Sequence, residues 1–541
     1  MNSTMSNQTY WTWSMTKGHR LALVTYFVLE FLAIILSLLF VFWSKRAIDI
    51  AMRPSGDNLQ VILVLVVVSV LLAVVLRSFS GWLNEHTRLK MGLQLQYEMI
   101  ELQMMSVWKV VKDWHSGDIQ MRIHSDCNEV VGMVAYSGIS FMLTLIKLIA
   151  SFVFLWSMDP MLAFMIIAIT PLFAFSKIYY KKMRRLSREV KQEESVFWKI
   201  LQENLRFRML IRAMDLLSGR SEKLEQSFHS INQLKTEQLN FSTFTQVAMK
   251  FTINIGYLLT FIWGVNRLHA GQISFGTMTA FLQLVGRIQA PILTLSGFAP
   301  LFIRFRTSLD RLMELVAGER ERHVKANKIG GLKTVCLEDL TFKYENHKVI
   351  DGFNMEVKLA QPTAIIGSSG KGKTTLMRLL LGLLEAESGR IWLADEHQKY
   401  ELNAGHRVNF AYVPQGNTLF SGTIKENLVV TSVVADENRI QYALWLACAE
   451  FVYQLPQGLN TLVGESGHGL SEGQAQRIAI ARAMMRECDI WLFDEITSAL
   501  DKETALQLTE RLLQEGESKI CIFVTHDFAL AESCKQTIYI N

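Results

Sequence analysis

The sequence predicts an α-helical membrane domain of six spanning helices with long polar extensions, followed by an α/β domain built on a phosphate-binding loop. Three observations carry that prediction. Six apolar segments of spanning length are confined to residues 21–303, the pattern changes near Leu332 to short apolar strands alternating with helices, and a glycine-rich loop sits between a strand and a helix.

At 541 residues the chain is too long for one core. Hydrophobic residues make up 50% of it and charged residues only 19%, an average that conceals an apolar front part and a remainder of ordinary soluble composition. The apolar segments cover roughly 21–43, 60–83, 136–158, 160–178, 243–264 and 273–303, each near the ~20 residues that cross a hydrocarbon core. Trp43, Trp82, Trp156 and Trp263 stand at their edges, where amphipathic rings anchor at the interface. Gly276, Gly286, Pro291 and Gly297 fall in the last segment, which packed membrane helices tolerate.

Short loops join segments 1–2, 3–4 and 5–6, so these loops share one side of the membrane. Residues 84–135 and 179–242 are charged and helix-compatible, and they are expected to extend the membrane helices as two hairpins on the other side. An extension of about 25 residues projects nearly ~40 Å. Lys181, Lys182, Arg184, Arg185 and Arg188 follow the fourth segment and place this side in the cytoplasm by the positive-inside rule. A basic cluster beside a membrane span, in a chain of net charge +5, does not indicate nucleic acid. Residues 1–20 lack a signal-peptide pattern, so the first span is expected to be its own insertion signal. The six cysteines form no CxxC pair and read as reduced structural thiols.

Four ionisable residues, Glu30, Lys147, Lys250 and Arg287, interrupt apolar spans at a similar depth of roughly 15–20 Å. A charge there costs at least ~2.5 kcal/mol unless paired or wetted, so these side chains are expected to face the interior. Pairing Glu30 with one lysine leaves two cations, which would favour an amphipathic substrate carrying an anionic group.

Residues 318–332 are charged and end in glycine, a linker between a membrane domain over 1–317 and a soluble domain over 333–541. Gly367, Ser368, Ser369, Gly370, Lys371, Gly372, Lys373 and Thr374 satisfy G-x-x-x-x-G-K-[ST], after the strand 363–366 and before a helix expected over 375–383. In that setting backbone N–H groups and the helix N-terminus, with Thr375 beside them, bind phosphate. Lys373 reaches the β- and γ-phosphates and Thr374 binds Mg²⁺. After Asp489, the four apolar residues 490–493 form a buried strand ending in Asp494 and Glu495, acids suited to holding Mg²⁺ and polarising the attacking water. Between these motifs, Leu470-Ser471-Glu472-Gly473-Gln474 opens a helix whose Ser471 is also a ready N-cap.

With Gln476 and Arg477 behind it, that pentapeptide closely resembles the signature of the ABC transporter superfamily, and the rest of the chain resembles an exporter-type half-transporter. In the membrane half the resemblance is carried by Ser116-Gly117-Asp118-Ile119 with Arg122 and Asp126, by Gln202-Glu203-Asn204, and by the turns at Asp159-Pro160 and 270–276. The resemblance implies that Tyr344 stacks on adenine, that Gln415 senses Mg²⁺ and the attacking water, and that Ser471, Gly473 and Gln474 meet the γ-phosphate of another subunit's ATP. It also implies that Glu495 and His526 are catalytic, with Thr374, Gln415 and Asp494 around the metal. Residues 461–465 resemble the loop near the coupling helices, and Ser498-Ala499-Leu500-Asp501 the loop crossing the dimer interface. Two departures stand out. Lys371 occupies a place usually held by a small residue and is expected to face solvent, and Glu472 replaces the first signature glycine.

The expected protein is therefore an ATP-driven exporter with an α/β P-loop ATPase domain, using ATP and Mg²⁺. It is expected to be a homodimer in a bacterial inner membrane, working by alternating access on an amphipathic lipid, peptide or drug-like substrate. A heterodimeric exporter and an ATP-gated channel or regulator share this architecture and are the alternatives.

Overall fold

The computed structural model describes residues 2–52, 58–108, 114, 116–169, 176–321, 324–344, 347–368, 370–416, 418–430, 436–464 and 469–540. The chain divides into two compact units, Met1–Met104 with His115–Ala317, and Met105–Trp114 with Gly318–Asn541.

The first unit is helical. Its elements are α1 (Asn2–Met15), α2 (Arg20–Met52), α3 (Leu59–Met104), a helical run over 116–158 designated α4, α5 (Pro160–Ile169), α6 (Ser176–Arg206), α7 (Arg208–Ala213), α8 (Leu217–His269) and α9 (Phe275–Ala317). The long polar extensions are present: α3 has 46 residues and α8 has 53. The six-residue α7 forms the tip of the second hairpin. Among the described residues, three helices are long and apolar enough to cross a membrane: Arg20–Met52, Leu59–Met104 and Asp118–Met158. The fourth expected span, 160–178, includes residues 170–175, which lie outside the described residues. The fifth lies within α8, and the sixth lies in α9 from Phe275 onward, its first two residues preceding the helix.

Two π-helical turns, Arg122–Asp126 and Met133–Ser137, interrupt α4. Each inserts extra length into a turn and so rotates the face that follows. The Asp118, Arg122 and Asp126 pattern becomes an ion network within this unit. Arg122 meets Asp118 at 2.9 Å and Glu314 at 2.7 Å, and Arg311 of α9 meets Asp118 at 2.9 Å and Asp126 at 3.3 Å. Asp159 caps α5 by accepting from the Met161 and Leu162 N–H groups at 3.0 and 3.1 Å, with Pro160 in the first helical position where its missing N–H costs nothing. Val41, Leu155, Leu162, Phe281, Leu284 and Ile288 form the principal packed seam among α2, α4, α5 and α9.

The second unit holds β1 (Thr334–Tyr344), β2 (His347–Lys358), β3 (Thr363–Ile366), α10 (Lys373–Leu380), β4 (Ser388–Ala394), β5 (Lys399–Glu401), β6 (Phe410–Val413), β7 (Gly422–Thr423), α11 (Ile424–Val429) and α12 (Glu437–Leu446). These are followed by β8 (Leu462–Val463), α13 (Glu472–Met484), β9 (Ile490–Asp494), α14 (Lys502–Glu515), β10 (Ile520–Thr525), α15 (Phe528–Ser533) and β11 (Gln536–Tyr539). The expected parallel sheet has the order β11-β3-β10-β9-β6. A separate antiparallel sheet, β2-β1-β4-β5, accompanies it. The eleven and twelve residues of β1 and β2 alternate between buried and open, as suits a sheet with one wet face, whereas β3, β9 and β10 are buried throughout. The helix after the phosphate loop ends at Leu380 rather than residue 383, because Gly382 adopts φ +59° and closes it with a left-handed turn.

Candidate functional site

Open parallel sheets bind ligands beyond the carboxyl ends of their strands, and four adjacent strands of this sheet deliver the predicted residues there. β3 runs into the phosphate loop, β9 ends at Asp494 and Glu495, β10 precedes His526, and β6 precedes Gln415.

In the phosphate loop, Gly370 and Gly372 adopt φ +84° and +92°, a region that L side chains rarely enter. A Cβ on Gly372 would also approach Val349 Cγ1 to 2.8 Å. Lys373 is buried at the start of α10 and its ammonium donates to the Gly367 carbonyl at 2.5 Å, folding the lysine over the loop. Thr375 is buried, Thr374 half-buried, and Ser368 and Lys371 are exposed, so Lys371 faces solvent. Ser369 lies outside the described residues.

Glu495 is gripped from several directions. The Gln415 side-chain amide donates to one carboxylate oxygen, and His526 Nδ1 lies 3.4 Å from the other. Its N–H donates to the Val524 carbonyl at 2.9 Å, and its own carbonyl accepts from Gln476 Nε2 at 3.0 Å and Ser498 Oγ at 2.9 Å. The backbone there adopts φ +52°, a strained conformation of the kind that clusters at functional sites. Gln415, Glu495 and His526, separate in sequence, are therefore one group.

Asp494 is only 2% exposed and its Oδ2 accepts no hydrogen bond. Burial, helped by the neighbouring Glu495 charge, pushes its carboxyl up to about 6, while Lys373 and Arg378 pull the other way. A buried carboxylate oxygen without a hydrogen-bond partner suits a hard cation that takes oxygen ligands. No cluster of three His, Cys, Asp or Glu residues able to hold a metal occurs among the described residues.

Ser471, Gly473 and Gln474 form a second group. Ser471 caps α13 in a reciprocal box with Gln474: its hydroxyl accepts from the Gln474 N–H at 3.2 Å, and Gln474 Oε1 accepts from the Ser471 N–H at 3.0 Å. A Cβ on Gly473 would lie 2.6 Å from the Ala499 carbonyl, so glycine is what allows the signature to seat on the 498–501 loop. Glu472 is exposed. Glu465 lies outside the described residues.

Tyr344 ends β1. Its ring meets Phe342 edge-on at 4.9 Å, and its hydroxyl accepts from Arg378 at 3.4 Å. Arg378, on α10, is a residue the motifs do not single out. Its guanidinium also lies over the Trp108 ring at 5.2 Å. Val107 donates to the Glu319 carbonyl at 3.0 Å and Glu321 to the Met105 carbonyl at 2.8 Å, so residues after α3 pair with the linker. Glu321 in turn pairs with Arg407, which donates to the Leu381 carbonyl at 2.8 Å and the Gly382 carbonyl at 2.6 Å at the end of α10.

Comparison with known proteins gives a consistent result. The family described as ABC transporter transmembrane region matches residues 23–292, and the family described as ABC transporter matches residues 350–498. The chain is 24% identical to the leukotoxin translocation ATP-binding proteins LktB of Mannheimia glucosida, Mannheimia haemolytica and Bibersteinia trehalosi, a match covering 97% of this chain and 75% of theirs. It superposes on a bacterial Atm1-family ABC exporter with ATP bound with a TM-score of 0.80 at 20% identity, over 96% of this chain and 93% of that one.

Proposed function

Because the chain belongs to the ABC transporter family, as an exporter-type half-transporter and transport ATPase of the membrane with a cytoplasmic ATPase domain, we propose that it works as a homodimer. ATP binding and hydrolysis would drive an amphipathic substrate across the bilayer by alternating access. The observation that carries this reading is that one chain holds a single Gln415–Glu495–His526 group and a single capped Ser471–Gly473–Gln474 signature, the latter seated on the 498–501 loop. A phosphate loop and a signature from two copies would then complete each site, and two-fold symmetry supplies two such sites at one interface.

In this assignment Tyr344 stacks on adenine. Gly367, Ser368, Ser369, Gly370, Gly372, Lys373 and Thr375 cradle the phosphates, with Ser471 and Gly473 of a second copy closing on the γ-phosphate. Thr374, Asp494 and Gln415 would hold Mg²⁺, which supplies charge neutralisation at the phosphates when bound. With its nitrogen engaged by Glu495, Gln415 has its amide oxygen left to offer. Glu495 orients and polarises water, and His526 steadies Glu495 and the γ-phosphate. The catalytic power comes from positioning and charge, as in other phosphoryl transfers.

The Trp108–Arg378–Tyr344 contact ties the segment that follows α3 to the adenine side of the site. In sealed inside-out vesicles the protein should concentrate a labelled amphipath, drawn from a lipid, peptide and dye panel, against its gradient when ATP is added. Trp108→Ala removes a contact worth about 1 kcal/mol and should retain ATP binding while losing most of that accumulation. Equilibration without accumulation by the wild type would replace the pump with an ATP-gated channel.

A further inference from the structure

The membrane unit contains a cavity of about 550 Å³ that the ATPase machinery does not use. Its walls are stripes from three helices: Glu30 on α2, Arg77, Asn84 and Arg88 on α3, and Tyr136 and Lys147 on α4. Arg77, Asn84 and Arg88 recur at helical spacing and so share a face, as do Tyr136 and Lys147. Tyr136 lies in the π turn Met133–Ser137, which sets the rotation of the stripe that ends at Lys147.

The lining is electropositive, with three cations against the two carboxylates of Glu30 and Glu85. Glu85 is taken by Arg88, and Glu30 accepts from the Ser80 hydroxyl. Among the described residues, neither Arg77 nor Lys147 has a carboxylate oxygen within 4.0 Å. Arg287 of α9 lies near enough to both to add to the positive field, and Glu30 lies near enough to Lys147 to offset part of it. Asn84 is only 5% exposed and its Oδ1 accepts no hydrogen bond. Unpaired cations and an unserved acceptor are costly at membrane depth and mark substrate pathways there.

Lys147 stands roughly 17 Å from the outer end of α4 at 1.5 Å per residue, near mid-bilayer. Arg88 stands roughly 43 Å from the outer end of α3, past the ~30 Å core on the cytoplasmic side. A second cavity of about 390 Å³ shares Arg88 and continues to His124 and Asn128. The lining therefore runs from mid-bilayer to the cytoplasmic side.

We propose that the α2–α3–α4 cavity is the loading site for the phosphate or carboxylate head of an anionic amphipath, with Arg77 and Lys147 as its counter-charges. Glu30 and Asn84 would take a hydroxyl or ammonium donor on the same head. This rests on the exporter reading above and names its substrate class. Of the four charges that interrupt the spans, Glu30 and Lys147 line the cavity, Arg287 is outside its lining, and Lys250 is exposed on α8 and likewise outside it.

The test is equilibrium binding of dodecyl phosphate to the full chain in nanodiscs, measured above empty nanodiscs. Dodecyltrimethylammonium and chain-free glycerol 3-phosphate are the other arms, and ATP binding and basal ATPase are followed in parallel. Dodecyl phosphate should bind about tenfold tighter than the cation. Arg77→Ala and Lys147→Ala should each weaken it about tenfold, Arg77→Lys should keep most of the affinity, and Lys250→Ala should change nothing. Glycerol 3-phosphate binding as tightly would support the same anion site and identify a water-soluble substrate. Unchanged affinity in both alanine variants, or equal affinity for the cation, overturns the proposal. Loss of wild-type ATPase would instead strike the exporter reading, whichever way dodecyl phosphate behaves.

Discussion

Replacing Glu495 by glutamine should lower ATP hydrolysis by about three orders of magnitude while leaving ATP binding intact. The substitution keeps the size of the side chain and its ability to meet Gln415 and His526. The strained backbone at φ +52° is equally tolerable to glutamine, and the bonds from Gln476 and Ser498 go to the main-chain carbonyl, which is unchanged. What is lost is the negative charge that polarises the attacking water. ATP should therefore accumulate unhydrolysed in a closed dimer, visible as nucleotide retained after gel filtration and as negligible single-turnover cleavage. Hydrolysis near the wild-type rate would remove Glu495 from the catalytic role.

Asp494→Asn should abolish turnover and, at the same time, stabilise the nucleotide-free protein. The Asp494 carboxyl is held near 6 against an ordinary 3.8, chiefly by burial and next by Glu495. The native state thus binds this proton more tightly than the unfolded chain does. The associated stability is present in full below about pH 4 and is lost as pH rises through about 6. Above that the ionised group costs at most about 3 kcal/mol, which asparagine avoids. In thermal scans without nucleotide, the variant should melt several degrees higher at pH 8, and the difference should shrink towards pH 5. Adding ATP with Mg²⁺ should reverse the ranking, because only the wild type gains a cation beside the carboxylate. A variant no more stable than the wild type at pH 8 would mean that the Asp494 charge is already compensated in the free protein.

The nucleotide site was legible because its chemistry is concentrated in short contiguous segments. A strand, a glycine-rich turn and a helix announce residues 363–380, and a buried strand ending in two acids announces Asp494 and Glu495. Membership of the motif order pointed to Gln415 and His526, but only the sheet order, which puts β6, β9 and β10 side by side, brings them to Glu495. Arg378 carried no local signal, since its partners Trp108 and Tyr344 lie far away in sequence. The pairing of Met105 and Val107, just after α3, with Glu321 and Glu319 of the linker had no local signal either, since the two segments are about two hundred residues apart. In the membrane unit, Arg77 lies inside the second apolar segment but was not among the charges singled out; only the cavity it lines sets it apart. The π turns in α4 were not legible either: Gly132 and Gly138 flank the second, but glycines in a helical run do not by themselves announce an inserted residue, and the rotation shows only in the backbone.

The central claim is that each ATP is held by a phosphate loop from one chain and a signature from another. Coexpressing a Lys373→Ala chain with a Gly473→Asp chain tests it most directly. The glycine has no room for a side chain against Ala499, so Gly473→Asp disables the signature without touching the phosphate loop. Each variant alone should be inactive. In a mixed dimer both defects fall in one composite site and the other is intact. Random pairing makes half of the dimers mixed, so ATPase should recover to about a quarter of the wild-type value. If every mixing ratio stays at the level of the inactive parents, the two groups do not complete one another across subunits and the composite-site account is contradicted.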